Sequence, residues 1–195
     1  MIPRHLLASL ALAAFAAQNP AQATDIVLPS NGVWAPLAVD SFVDPGLGWI
    51  DDYGNPLRFT FVIGSGLTGA LTVLDTGFAG DMFSVLNGTT TLGPTSTVSV
   101  RQYDPAAVAV EDPDLAFVDP SFSRVTFTLG AGSYSIGGRL TQSLLLGDDR
   151  LDSTSGALRL TVGSVTPVPE PSSLALLLAG FAAVGSIARR RLARP

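Results

Sequence analysis

The sequence contains no cysteine and no lysine, and its only histidine is His5. Beyond that position the chain therefore has neither a Ser-His-Asp nor a Cys-His nucleophilic centre, and no thiolate or imidazole ligand for zinc or copper. The lack of lysine excludes Schiff-base chemistry and a phosphate loop that ends in Gly-Lys. Without disulfides, a hydrophobic core must hold the fold together. Carboxylates and aromatic rings are what remains for binding or catalysis.

The first 23 residues are typical of a secretory signal peptide. A positively charged start is followed by apolar residues 6–17, and Ala21 and Ala23 fit the small-residue pattern that precedes a cleavage site. We therefore expect the mature chain to start at Thr24.

The C-terminal part of the chain has three segments. A proline-rich linker, residues 165–171, precedes an uncharged apolar run, residues 172–188, and a basic tail, residues 189–195. As a helix the apolar run would be roughly 26 Å long, within the range of helices that span a membrane. Arginine-rich flanks stay on the cytoplasmic side, so the tail is expected inside and the preceding domain outside. The predicted stop-transfer residues are Arg189, Arg190, Arg191 and Arg194.

The order Val168-Pro169-Glu170-Pro171, apolar helix, arginine cluster resembles the PEP-CTERM sorting signal. That signal occurs on exported proteins of Gram-negative bacteria that make extracellular polysaccharide, and membrane-embedded exosortase proteases recognise it and remove the helix and tail. The resemblance implies that these four residues form the recognition motif. It also implies an exosortase as partner, a transient stay in the inner membrane, and a final location at the cell surface or in the extracellular matrix.

Residues 24–164 are expected to form one domain with a strongly acidic balance. Five of the 11 basic residues and one of the 16 acidic residues lie outside it, which leaves a net charge of about −9. A domain with this charge repels nucleic acid and anionic lipid, so no nucleic-acid partner is expected.

Apolar residues that alternate with polar ones predict many short strands in this domain. The expected strands are 57–63, 70–74, 82–86, 89–92, 95–101, 124–129, 133–136 and 156–162. One or two edge strands are expected within residues 26–43, and Asn87-Gly88 predicts a hairpin turn. Residues 104–121, rich in proline and acidic residues, predict a long surface loop with room for a single helical turn.

This pattern is typical of an all-β fold, an antiparallel β-sandwich of the jelly-roll or Ig-like Greek-key type. The signal peptide and the C-terminal transmembrane helix flank it. The inward-facing strand residues predict a single core of Phe59, Phe61, Leu71, Val73, Phe83, Val85, Val125, Phe127, Leu158 and Leu160.

Two chemistries based on carboxylates remain open. A pair of acidic residues suits glycoside hydrolysis, for which the candidates are Asp51, Asp52, Asp75, Asp81 and Glu111. Clustered aspartates suit calcium, and the candidate clusters are Asp51-Asp52 with Asn55, Asp112 with Asp114, and Asp148-Asp149 with Asp152. None of these clusters has the EF-hand spacing, and turn chemistry alone also places aspartate beside glycine and proline.

Aromatic residues suggest sugar binding by stacking. Trp34, Trp49 and Tyr53 lie in the loop-rich first third of the chain, the last two beside Asp51 and Asp52. The alternative is that the tryptophans belong to the core. Taken together, the sequence predicts a non-enzymatic exported cell-envelope protein without a cofactor, and calcium at Asp148, Asp149 and Asp152 is the alternative to that absence. A carbohydrate-binding module, calcium-dependent or not, and a carboxylate glycosidase are the alternatives.

Overall fold

The structure, a computed structural model, describes residues 23–164, which form two packed β-sheets and one short helix. The strands are β1 (Thr24–Val27), β2 (Ala35–Asp40), β3 (Leu57–Ile63), β4 (Leu67–Thr76), β5 (Met82–Asn87), β6 (Thr90–Pro94), β7 (Arg124–Leu129), β8 (Gly132–Gln142), β9 (Leu145–Leu146), β10 (Asp149–Arg150) and β11 (Ser153–Ser164), and the helix is α1 (Pro113–Val118). The predicted membrane helix, sorting motif and basic tail lie outside the described residues, as does the signal peptide up to residue 22. Within residues 23–164, no helix is long and apolar enough to cross a membrane.

The strands form a five-stranded sheet in the order β1-β3-β8-β5-β6 and a four-stranded sheet in the order β2-β11-β4-β7, and β9 and β10 form a small hairpin of their own. Eight strands pair as one long hairpin folded over on itself: β2 with β11, β3 with β8, β4 with β7, and β5 with β6. This nested antiparallel pairing is that of a jelly roll rather than an Ig-like sandwich. The all-β sandwich is thus confirmed, and its pairing departs from antiparallel where the edge strand β1 pairs parallel with β3.

The core lies between the two sheets, and strand periodicity explains how it forms. In β3 the side chains of Leu57, Phe59, Phe61 and Ile63 are buried, while Arg58 and Val62 point to solvent. Eight of the ten predicted core residues are buried: Phe59, Phe61, Leu71, Val73, Phe83, Val85, Leu158 and Leu160. Val125 and Phe127 are only partly buried, because β7 is an edge strand and its neighbours cover it from one side.

A second, smaller cluster lies on the outer face of the four-stranded sheet. Leu74 of β4 is buried there together with Ala116 of α1 and Phe122. The helix is short, and Asp112 caps its start by accepting a hydrogen bond of 2.9 Å from the amide of Asp114. The predicted loop with one helical turn is thus confirmed, and its helix covers one end of the sheet.

Residues 95–101 do not form the strand that their alternation predicts. The Thr95 hydroxyl accepts the amide of Phe83 at 2.9 Å and the hydroxyl of Ser123 at 2.9 Å. Phe83 belongs to the five-stranded sheet, and Ser123 directly precedes β7 of the other sheet. The chain therefore crosses between the sheets at Thr95 instead of extending either one.

Candidate functional site

One depression among the described residues is a groove where β4 ends and β11 begins. It consists of two cavities of about 250 and 280 Å³ that share Thr76, Glu111 and Ser155. We refer to them as the acidic half and the indole half of the groove. The mutual backbone hydrogen bonds of Gly77 and Val110, 2.9 and 2.7 Å, attach the loop that carries Glu111 to the end of β4.

The acidic half contains Asp81, whose side chain is only 2% exposed. Its Oδ1 accepts a hydrogen bond of 2.9 Å from the amide of Leu144. Burial raises the pKa of Asp81 to about 6, despite hydrogen bonds that favour its charged form. The remaining wall combines apolar side chains with hydroxyl groups. The apolar residues are Phe78, Leu144 and Leu151, and the hydroxyl groups are those of Thr76, Ser153, Thr154 and Ser155.

Asp75 lies behind this half, fully buried. Its Oδ2 accepts hydrogen bonds of 3.3 Å from the amides of Gly80 and Asp81, and its Oδ1 has no partner. Burial, together with the neighbouring Asp81 carboxylate, raises the pKa of Asp75 to about 9. Asp75 is therefore protonated at neutral pH and holds the turn between β4 and β5.

Trp34 forms the end of the indole half, beside Pro36 and Pro113. Its Nε1 donates a hydrogen bond of 2.9 Å to Asp114, and the Arg159 guanidinium lies 4.2 Å from the ring centroid. Phe117 packs against the same ring at a centroid distance of 6.2 Å. These contacts fix the orientation of the indole, and the part of the ring that they leave open contributes to the groove.

The other two predicted aromatic residues do not join Trp34. Trp49 is 2% exposed and packs edge-on against Phe59 and Phe83, with ring centroids 6.4 and 6.3 Å apart. Its place as a sugar-stacking residue is therefore corrected: it is a core residue. Tyr53 is 90% exposed in the loop after Asp51 and does not line the groove. The surface of three aromatic residues that the sequence suggested is not formed.

The Asp51-Asp52 cluster organises a loop. Asp51 accepts hydrogen bonds from the hydroxyl of Thr24 and from the amides of Tyr53 and Asn55, at 2.8 to 2.9 Å. Desolvation alone would raise the pKa of Asp51, but the hydrogen bonds from Asn55, Thr24 and Tyr53 outweigh it and lower the pKa to about 2. Thr24, the predicted first residue of the mature chain, is the first residue of β1, and its hydrogen bond to Asp51 holds it in place.

Three of the five aspartates in the other acidic clusters have partners within the described residues. Asp148 and Asp149 lie exposed at the β9–β10 hairpin, and Asp152 pairs with Arg150 at 2.8 Å. In the cluster of Asp112 and Asp114, the first caps α1 and the second accepts from Trp34. Within residues 23–164, no three side chains of the kinds that bind metals are grouped as metal ligands. The geometry does not support a cation shared by Asp148, Asp149 and Asp152.

Of the five acidic residues considered for catalysis, Asp81 and Glu111 line the same cavity. Sequence reasoning missed the hydroxyl wall, because single serine and threonine residues at strand ends show no pattern of their own. The meeting of Trp34 and Glu111 was also not predictable, since it depends on the loop that folds back over β4.

Comparison with known families identifies a motif in the region that follows the domain. Residues 167–191 match the family model described as the PEP-CTERM protein-sorting motif. The chain carries a PEP-CTERM sorting motif. The resemblance seen in the sequence is thus confirmed over Val168 to Arg191, and Arg194 follows the matched range.

Comparisons of the whole chain give little beyond this motif. The search of the curated proteins found no match. Among solved structures, the pre-peptidase C-terminal domain of a collagenase from Bacillus anthracis is similar, with 11% identity, coverage of 74% of this chain and 98% of that chain, and a TM-score of 0.35. A likeness at that score supports no argument about this protein.

The groove lies near the start of β11, far from the last described residue of that strand. Ser155 of the groove pairs with Thr76, and Ser164, the last described residue, pairs with Leu67. At about 3.3 Å per residue, these ends of the strand are about 30 Å apart. The groove therefore lies at the end of β11 that is farther from Ser164.

Proposed function

We propose that the protein is a non-enzymatic exported cell-envelope protein that an exosortase processes and delivers to the cell surface or the extracellular polysaccharide matrix of a Gram-negative bacterium. The match of residues 167–191 to the PEP-CTERM protein-sorting motif carries this proposal. The position of the motif supports it, because β11 ends at Ser164 and all core residues found among residues 23–164 come before the matched range.

In this proposal the two ends of the chain act in turn. The signal peptide starts export and is cleaved before Thr24. The apolar run, residues 172–188, then holds the chain in the inner membrane with the arginine tail in the cytoplasm. Val168 to Pro171 are the substrate of the exosortase, so the chain presents a cleavage motif and not an active site.

Mass spectrometry of the protein from its native host tests the proposal. The mature form should start near Thr24 and end near Val168 to Pro171. Surface material that retains Arg194 and Pro195 would show that the helix is a permanent anchor and would contradict processing.

A carbohydrate-binding role of the domain is the second candidate. The observation that favours it is the indole of Trp34 at the end of a groove lined by hydroxyl groups and Glu111. Aromatic rings beside hydrogen-bonding groups suit sugars, which have apolar faces and polar edges. Binding of the purified domain to the host's own exopolysaccharide is the direct test.

Fewer residues of the structure favour glycoside hydrolysis than carbohydrate binding. Asp81 and Glu111 line one cavity. Asp75 is fully buried, and the Asp51 carboxylate accepts hydrogen bonds from its own loop. We therefore keep the domain non-enzymatic in this proposal. Release of reducing ends from the host polysaccharide by the intact protein, lost in Glu111→Gln, would contradict it.

We also propose that the domain folds without a cofactor. Calcium is the ion to test, and its addition at millimolar concentration should leave the melting temperature equal to that in chelator. The reason is that Asp152 is already paired with Arg150 and hydrogen-bonded by Ser143. A higher melting temperature in calcium would show binding to the folded state.

A further inference from the structure

We infer that the groove between Trp34 and Asp81 binds an uncharged glycan segment and excludes acidic glycans. This inference rests on the carbohydrate-binding candidate above and adds a place, a set of contact residues and a class of sugar. One sugar ring lies against Trp34 in the indole half, and the chain continues past Glu111 into the acidic half.

The size of the groove fits such a ligand. Its halves measure about 250 and 280 Å³ and adjoin at Thr76, Glu111 and Ser155. Sites for small ligands commonly have volumes of about 300–1,000 Å³ and a few polar groups that fix orientation. An elongated site with two halves suits consecutive units of a chain better than a single compact ligand.

The polar groups of the groove complement sugar hydroxyls. The hydroxyls of Thr76 and Ser155 lie 3.1 Å apart and can each both donate and accept. Glu111 is exposed, and no hydrogen bond of its side chain is found among the described residues, so its carboxylate is free to accept from a ligand. A sugar has many hydroxyl groups that donate hydrogen bonds. The Glu111 carboxylate and the hydroxyls of Thr76 and Ser155 can accept those hydrogen bonds.

The charge of the groove selects against acidic sugars. The described residues that line it include Asp81 and Glu111 but no arginine. Two nearby guanidinium groups, those of Arg159 and Arg150, are each paired with an aspartate. A uronate or a phosphate in the groove would meet carboxylates without gaining a cation, so like-charge repulsion disfavours it.

Trp34 is fixed before a ligand arrives. The hydrogen bond to Asp114 and the Arg159 guanidinium on one ring face hold the indole in place. A pre-oriented aromatic side chain loses little conformational entropy on binding, which favours affinity. The face that Arg159 covers is unavailable, so a ligand packs on the part of the ring that lines the groove.

Isothermal titration calorimetry with residues 24–164, which contain all the strands and core residues that the structure describes, tests the inference. The probes are neutral hexasaccharides of glucose and of mannose, and hexasaccharides of galacturonate and mannuronate, all at pH 7. We expect binding of at least one neutral probe and at least about tenfold weaker binding of both uronates.

Two groove variants and two controls locate the site. Trp34→Ala and Glu111→Ala should each lower the affinity for the neutral probe by about tenfold. The controls are Tyr53→Ala and Asp52→Ala, which remove an exposed aromatic ring and an exposed acid outside the groove. They should leave the affinity for the neutral probe unchanged. Trp34→Ala also removes contacts to α1, so the circular-dichroism spectrum is compared, and Glu111→Ala serves as the variant without such contacts.

The outcomes separate the two proposals. Neutral binding that both groove variants leave intact would overturn the placement in the groove while supporting carbohydrate binding. Uronates that bind as tightly as the neutral probes would overturn the class of sugar. Absence of binding by all probes would overturn the inference, whereas the host exopolysaccharide assay decides the carbohydrate-binding candidate separately.

Discussion

The indole Nε1 of Trp34 donates a hydrogen bond of 2.9 Å to the Oδ1 of Asp114, a residue 80 positions later in the chain. The same carboxylate oxygen lies 3.4 Å from Nη1 of Arg159, and the Arg159 guanidinium stacks on the Trp34 ring. The residue before β2, the first turn of α1 and the centre of β11 are thus joined by one polar contact set. It fixes the helix on the outer face of the four-stranded sheet.

The first prediction concerns this contact set. Asp114→Ala should lower the free energy of unfolding by about 1 kcal/mol, because it removes a hydrogen bond and a partly exposed ion pair. Arg159→Ala should cost a similar amount through the lost cation–π contact. Urea denaturation of both single variants and the double variant should give a coupling energy of about 0.5–1 kcal/mol. Strict additivity would show that the contacts act independently.

The second prediction concerns pH. The unfolded carboxyl of Asp75 ionises near pH 4, whereas the folded one keeps its proton up to about pH 9. Between these values unfolding releases a proton, so the free energy of unfolding falls as the pH rises. Asp81, with a folded pKa of about 6, adds to this fall in the lower part of the range. The melting temperature should therefore decrease from pH 5 to pH 9.

Asp75→Asn is the matching variant, since it has the shape of the protonated side chain and cannot ionise. It should flatten the profile and melt at a higher temperature than the original protein at pH 9. Asp52→Asn, an exposed control, should leave the profile unchanged. The pKa of Asp51 is lowered, so its contribution is lost only below about pH 4 and does not affect this window. An original profile that is flat from pH 5 to pH 9 would contradict a protonated Asp75.

The third prediction compares two phenylalanines. Phe83 is fully buried between the sheets, and Phe83→Ala should cost about 3–5 kcal/mol. Phe127, on the edge strand β7, is only partly buried, so Phe127→Ala should cost clearly less. Equal losses in chemical denaturation would mean that β7 is covered on its open side.

The comparison of Phe83 with Phe127 shows where sequence reasoning succeeds and where it stops. Alternation places Leu57–Ile63 and Arg124–Leu129 as strands with the bounds that the structure has. It cannot tell an edge strand from a central one, since that depends on pairing between distant segments. Residues 95–101 alternate equally well between apolar and polar side chains. They form no strand, because the hydrogen bonds of Thr95 to Phe83 and Ser123 hold the chain where it crosses between the sheets.

The candidate site was less predictable than the fold. Trp49 and Trp34 have similar sequence surroundings, but one is enclosed by both sheets and the other lies beside α1. Asp81 and Glu111 are 30 residues apart and meet only because Gly77 and Val110 pair. The sorting motif, by contrast, depends on local order alone, so the sequence was sufficient for it.

The fourth prediction concerns the close approach of Trp49 to Gly138. A Cβ at position 138 would overlap the Trp49 ring and lie 2.7 Å from the carbonyl oxygen of Ser84. Gly138→Ala should therefore cost about 1–3 kcal/mol or more, because the core has no room for it. Gly130→Ala, where nothing lies within 4 Å of the added carbon, should be near neutral in the same thermal unfolding assay.

The fifth prediction concerns processing. Replacement of Pro169 and Glu170 by alanine should leave the protein full-length and retained in the inner membrane, because the exosortase no longer recognises its motif. Membrane fractionation and intact-mass measurement in the native host check this outcome. A control with Thr166→Ala, just before the matched range, should be processed normally. Normal processing of the double variant would remove Pro169 and Glu170 from the recognition motif.

The nested pairing of the jelly roll sets the order in which the domain can assemble during secretion. A chain that leaves the membrane N-terminus first brings out β2 and β4 long before β11, the strand that lies between them. The innermost hairpin, β5 with β6, can close early because its strands are neighbours in the sequence. The outermost pair, β2 with β11, must wait until residues Ser153–Leu158 have emerged. The last residue of β11, Ser164, pairs with Leu67 of β4 and lies three residues before the PEP-CTERM match begins. Translocation of the last strand and arrival of the sorting motif at the membrane are therefore nearly one event, so folding is completed as the motif comes within reach of its protease.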